Sequence, residues 1–184
     1  MLAIRVWAPA GNLQAICVGD SMAIWSTGGS PVSPFARPRP LLAIFAGGFM
    51  VGILDLAYAV LVYSPQKPIL VPQTIASGIL GMNSYLDGTR SAVIGLLLQF
   101  VISLGAATVY YVASRKLPFL VSRAVLSGIV YGALVYCFMH FIVLPLSAMP
   151  KSDVPLIYRL TEFVEHWFLV GLPISLSVRH YARN

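Results

Sequence analysis

Glu162, Glu165 and His166 are the residues best placed to do chemistry, because they lie inside Leu156 to Val178, a stretch long enough to cross a hydrocarbon layer. An ionisable group at the centre of a membrane helix costs roughly 2.5 to 3.5 kcal/mol on insertion scales, so it needs a partner or a task. Other apolar stretches supply candidate partners in Asp55, Gln99, Tyr136 and His140. Glu162 and His166 stand four residues apart and share a helix face, with Glu165 about 100° around from them. Brought together, carboxylates and imidazoles can exchange protons at ordinary pH.

Three kinds of function could use such a group. A proton or small-ion pathway would run through Glu162, His166, Asp55 and His140. A metal or haem site would need His140 and His166 to face each other from neighbouring helices. A structural role would leave the polar groups as glue between helices, at about 0.6 kcal/mol per hydrogen bond. The spacing Glu162-x-x-Glu165-His166 has glutamate where a His-x-x-Glu-His zinc hydrolase has its first histidine, and it is not the Glu-x-x-His of di-iron bundles. No Walker loop, Gly-x-Gly-x-x-Gly or Gly-x-Ser-x-Gly elbow occurs in the chain. The sequence therefore points away from an enzyme, predicts no cofactor and assigns no metal.

The elements that must hold these residues follow from composition. The chain has 184 residues, 58% of them hydrophobic and 10% charged, with a mean hydropathy of +0.83. That leaves too little polar surface for a soluble domain, and a bilayer resolves the deficit. The net charge of +6 is distributed between apolar runs. It reads as a membrane-topology signal and not as a nucleic-acid patch. Cys17 and Cys137 belong to no Cys-x-x-Cys motif.

The expected fold is an all-α integral membrane protein with four transmembrane helices, at about 41–63, 91–114, 124–147 and 156–178. Residues 1–40, broken by prolines and glycines, read as a flexible tail without a secretory signal; Met22 is a candidate alternative start. The segment at about 72–86 is apolar at Ile75, Ile79, Met82 and Leu86 and polar between them. This predicts an amphipathic helix lying in the interface, or a re-entrant half-helix covered by the bundle. Small residues mark the faces along which helices should pack: Gly48 and Gly52 in the first span, Gly95 in the second, Gly128 and Gly132 in the third. Gly95, Gln99, Ser103 and Ala107 form one stripe, and Gly128, Gly132, Tyr136 and His140 another.

Arg37, Arg39, Arg115, Lys116, Arg123, Arg179 and Arg183 would lie on one side of the membrane, against Lys67, Arg90, Lys151 and Arg159 on the other. Seven against four places both termini in the cytoplasm. At 1.5 Å per residue, Asp55, Gln99, His140, Glu162 and His166 then lie about 9 to 15 Å below the outer ends of their spans. They form a polar layer in the outer half of the bilayer.

The segments Gly128-Ile-Val-Tyr-Gly-Ala-Leu-Val-Tyr136, Met139-His140-Phe141, Leu144-Pro145-Leu146 and Glu162-Phe-Val-Glu-His166, with Arg179, resemble the C-terminal half of the YagU-type bacterial inner-membrane proteins. Gly48-x-x-x-Gly52-x-x-Asp55, Ala76-Ser-Gly-Ile-Leu-Gly81 and Tyr110-Tyr-Val-Ala-Ser-Arg115 resemble a broader group of small four-span bacterial proteins. Together the likeness covers about residues 41–183. It implies a multi-pass protein of the bacterial cytoplasmic membrane, with acid tolerance as the physiological theme. That group often has histidine where this chain has Gln99, a departure that counts against an inherited metal site. The expected partners are the lipid bilayer and, as candidates, a second copy of the chain or another membrane protein.

Overall fold

The computed structural model describes residues 39–151 and 154–181, and these are helical with no strand among them. The tail expected over residues 1–40, with Cys17 and the candidate start at Met22, lies outside the described residues apart from Arg39 and Pro40. The elements are α1 (Pro40–Tyr63), α2 (Leu70–Leu80), α3 (Thr89–Lys116), the short α4 (Phe119–Ser122) and α5 (Ala124–Leu146). The last element, α6, runs through three consecutive helical segments, Leu156–Glu165, His166–Gly171 and Leu172–Tyr181. α1, α3 and α5 are long and apolar enough to cross a membrane. α6 matches them in length, and its first half carries Arg159, Glu162 and Glu165.

α1 and α6 run antiparallel from end to end. The Arg39 amide donates to the Tyr181 carbonyl at 3.0 Å, and at the opposite end the Tyr63 hydroxyl donates to the Tyr158 carbonyl at 3.5 Å. The beginning and the end of the described chain therefore share one end of the bundle. There the core is tight and apolar, with Ala43, Ala107, Tyr110, Ile174 and Val178 almost completely buried. The Tyr110 hydroxyl donates to the Leu120 carbonyl and lies 3.0 Å from Ser127 Oγ, tying α3 to the start of α5.

Glycines set the helix spacing. A Cβ on Gly48 would strike Leu104, and one on Gly52 would strike Phe100, so α1 packs on α3 along the expected face. Gly95 of α3 takes the Pro72 carbonyl of α2. Gly128 and Gly132 face α6, where a Cβ would overlap Ser175 Oγ and the His166 carbonyl respectively, and Gly171 of α6 answers with close approach to the Gly128 carbonyl. Large apolar side chains such as Leu126, Leu134 and Phe141 of α5 point outward, the arrangement a lipid surroundings favours.

Both long C-terminal helices contain a π-helical stretch, Met139–Val143 in α5 and His166–Gly171 in α6. Each is followed by a Leu-Pro pair, Leu144-Pro145 and Leu172-Pro173. Proline has no amide hydrogen to donate and its ring crowds the carbonyl four residues back, so the preceding turn widens.

α2 is amphipathic in the opposite sense to a helix on a soluble core. Gln73, Ala76 and Ser77 face inward, while Ile79 and Met82 are 65% and 64% exposed. The polar face is held against α3 and its entry, with Gln73 Nε2 donating to the Gly88 carbonyl at 2.9 Å. Ile79, Met82 and Leu86, three of the four apolar residues that marked the segment in the sequence, thus form its outer surface, as suits a helix in contact with lipid, while Ile75 is half-buried. α2 continues into a 3-10 turn, Gly81–Tyr85, and Gly81 and Gly88 on either side have φ of 61° and 59°, values that favour glycine.

The contact between Gly132 and the His166 carbonyl makes a clear prediction. Gly132→Ala should lower the thermal stability of the detergent-purified protein, since a backbone atom cannot swing aside, at about 1 to 3 kcal/mol for overpacking. Gly105→Ala, where a Cβ meets nothing within 4 Å, should leave stability unchanged or raise it by up to about 1 kcal/mol. Equal melting temperatures for the two variants would contradict this account of the α5–α6 crossing.

Candidate functional site

At the end of the bundle away from the tight core, α3 and α5 diverge and leave a cavity of ≈ 680 Å³. Ala106 is among its lining residues, and the Tyr131 hydroxyl of α5 donates to the Ala106 carbonyl of α3 at 2.6 Å. Its roof is α2, braced from the far side by the Ala148 amide donating to the Gly78 carbonyl at 2.9 Å. Leu98, Ile102, Val135 and Met139 line one side of the cavity, and the polar residues line the other.

Six of the seven polar residues singled out in the sequence line this cavity: Asp55, Gln99, His140, Glu162, Glu165 and His166. The seventh, Tyr136, packs beside it. Its ring stacks on His140 with centroids 4.0 Å apart and meets the His166 ring edge-on at 5.4 Å, and its hydroxyl donates to the Arg159 carbonyl at 3.2 Å. Tyr136 therefore holds both imidazoles by contact with its ring. Tyr63 and Tyr85 also line the cavity and carry hydroxyls that the sequence did not single out, and Ser103 of the α3 stripe lines it too.

The polar contacts fall into three sets. Gln99 Nε2 donates to Asp55 Oδ2 at 2.6 Å across the α1–α3 crossing; an ionised carboxylate only accepts, so the amide must present its NH2 group. His140 Nε2 lies 3.6 Å from Glu162 Oε2, linking α5 to α6. Within α6, His166 Nδ1 lies 2.9 Å from the Glu162 carbonyl and 2.8 Å from Glu165 Oε2. One ring nitrogen carries at most one hydrogen, and the carbonyl takes it with the better geometry. Glu165 then keeps an ionic contact but no directed hydrogen bond, and both its carboxylate oxygens are buried without a hydrogen-bond partner.

Glu165 and His166 are successive residues, yet both are buried, with Glu165 only 6% exposed. In a regular α-helix neighbours diverge by about 100°. Here the π-helical stretch begins at His166, and both side chains serve the same cavity. The second π-helical stretch contains His140. The signal available in the sequence was the recurrence of histidine five and seven residues ahead of a Leu-Pro proline.

Among the described residues, Glu162 and Glu165 have imidazoles as their only salt-bridge partners, and Asp55 has the neutral Gln99 amide; none meets a lysine or arginine. Three of the four described acidic residues thus converge where no fixed positive charge neutralises them. Donor atoms of Asp55, Glu165 and His166 all lie within 4.8 Å of one another; the His140–His166 pairing expected for a metal is not part of that group.

The fold and the site define an all-helical protein with three helices fit to cross a membrane and a cavity that gathers acids and imidazoles. No protein-family model matches this sequence, and no curated protein or solved structure matches it.

Replacing Gln99 by Leu removes the one donor to Asp55 at nearly constant volume. We expect Gln99→Leu to destabilise the protein by about 1 to 3 kcal/mol at neutral pH, the cost of a buried acceptor left without its partner. Chemical unfolding in mixed detergent would measure it, and a variant as stable as the native protein would mean the pair contributes nothing.

Proposed function

We propose that this is a four-span protein of the bacterial cytoplasmic membrane, both termini cytoplasmic, that handles protons or small cations through Asp55, Glu162, Glu165, His140 and His166. The observation that carries the proposal is the convergence of three carboxylates on one cavity where, among the described residues, two have only an imidazole as salt-bridge partner and the third, Asp55, only a neutral amide. In a low-dielectric surrounding such a set is stable when its charge is balanced by bound protons or by a cation. A role confined to gluing helices would call for groups that hydrogen-bond one another, and neither Glu165 oxygen has a hydrogen-bond partner, its 2.8 Å contact with His166 Nδ1 being ionic alone.

In this reading α6 is the fourth span, since it pairs end to end with α1, and α2 is a re-entrant cover. The seven-to-four bias of Lys and Arg sets the orientation, and the likeness to YagU-type proteins supports the bacterial membrane. The Glu162–His140 contact passes a proton between imidazole and carboxylate, and His166, whose Nδ1 hydrogen goes to the Glu162 carbonyl, lies against Glu165. Asp55, oriented by Gln99, completes the acidic wall. In the same orientation the Tyr131–Ala106 contact lies on the cytoplasmic side of the cavity, and passage across the bilayer requires it to open.

Reconstitution into vesicles tests the function. An imposed pH gradient should dissipate faster with the native protein than with the Glu162→Gln/His166→Ala double variant, whose rate should fall to that of protein-free vesicles. Equal rates for native and variant protein would remove the proposal. For topology, a C-terminal alkaline phosphatase fusion should be inactive and a C-terminal green fluorescent protein fusion bright; the opposite pattern would overturn the four-span arrangement.

A further inference from the structure

We propose that Asp55, Glu165 and His166 form a binding site for a divalent transition-metal cation of the Zn2+ type, reached from the cavity. The inference deepens the reading above, naming the cation that the cavity takes. The three side chains come from two helices, α1 and α6, and their donor atoms lie within 4.8 Å of one another. Metal–ligand bonds of about 2.0 to 2.2 Å place donors some 3 to 4 Å apart, so a shift of about 1 Å, within reach of carboxylate rotation, closes them on an ion. The second observation is Glu165 itself, buried to 6% exposure with both oxygens lacking a hydrogen-bond partner, Oε2 lying 2.8 Å from the His166 Nδ1 whose hydrogen goes elsewhere. A carboxylate held in this way costs several kcal/mol unless a cation meets it.

The donor set selects the ion. Two carboxylates and one neutral imidazole bring two negative charges, which cancel a divalent cation and leave the buried assembly neutral. A nitrogen donor among three ligands suits Zn2+ better than Ca2+, Mg2+ or Mn2+, which favour oxygen. Three protein ligands leave a coordination position open toward the cavity. The outer contacts are those expected around a metal: Gln99 steadies Asp55, and the Glu162 carbonyl takes the His166 Nδ1 hydrogen. His140 and Glu162, paired with each other nearby, stand outside the ligand set.

Calorimetric titration of the full-length, metal-stripped protein in detergent with Zn2+ tests the site. We expect one Zn2+ per chain, not displaced by a hundredfold excess of Mg2+, and an affinity weakened at least about tenfold in both Glu165→Gln and Asp55→Asn. Asp87→Asn, an exposed carboxylate outside the cavity, should bind as the native protein does. Absence of Zn2+ binding by the native protein, or undiminished affinity in both cavity variants, would overturn the proposal. Should those variants fold poorly, X-ray absorption of Zn2+ on the native protein decides: one imidazole among oxygen donors supports the site, whereas sulfur ligation or no imidazole removes it. Zn2+ binding without proton or zinc flux in vesicles would keep this site and discard the transport reading; proton flux without Zn2+ binding would do the reverse.

Discussion

The backbone contact between α5 and α6 is the constraint on which the rest depends. Gly128 and Gly132 of α5 and Gly171 of α6 let carbonyl groups approach where any side chain would intrude. In lipid, where apolar faces gain little by meeting each other, close packing of this kind is a principal source of helix association. The crossing lies along the π-helical stretch of α6, so the same contact that joins the helices also fixes the direction of Glu165 and His166. Without it these groups would have no defined address.

From that crossing the two ends of the bundle differ. Toward the chain termini, Tyr110 and Ser127 knit α3, α4 and α5 together around small apolar residues. Toward the other end, α3 and α5 part above the Tyr131–Ala106 contact, and α2 fills in as a roof. α2 can serve this way because its polar and small face turns inward, to Gly88 and the α3 entry, while Ile79 and Met82 meet the surroundings. A cavity with an apolar side and a polar side results. Its polar side is costly in hydrocarbon, and the cost is reduced wherever a carboxylate meets an amide, an imidazole or a cation.

The two π-helical stretches connect sequence to site most directly. Pro145 and Pro173 each follow such a stretch and deprive the preceding turn of a donor. The widened turns carry His140 and His166, the two histidines of the cavity. A local backbone rule thereby re-aims the side chains that the site uses.

Much of the architecture was legible in the residues. The long apolar runs marked α1, α3 and α5 within one or two residues of their ends, and the glycine stripes named the packing faces, because in a bilayer composition and helical period act over a single segment. The polar residues that line the cavity were also legible, since ionisable groups inside apolar runs stand out in the sequence. The pairings were not. Gln99 with Asp55, Glu162 with His140 and Glu165 with His166 depend on how helices cross, and successive residues share one cavity only because a π-helical stretch changes the register. The direction of α2 was hidden for a related reason, since its apolar pattern is the same whether it faces a core or lipid. By itself, then, the sequence determined which segments are helical, which faces pack and which apolar segments carry ionisable groups. The tertiary structure alone decided which buried charges meet, because that is set by backbone approach between helices far apart in the chain.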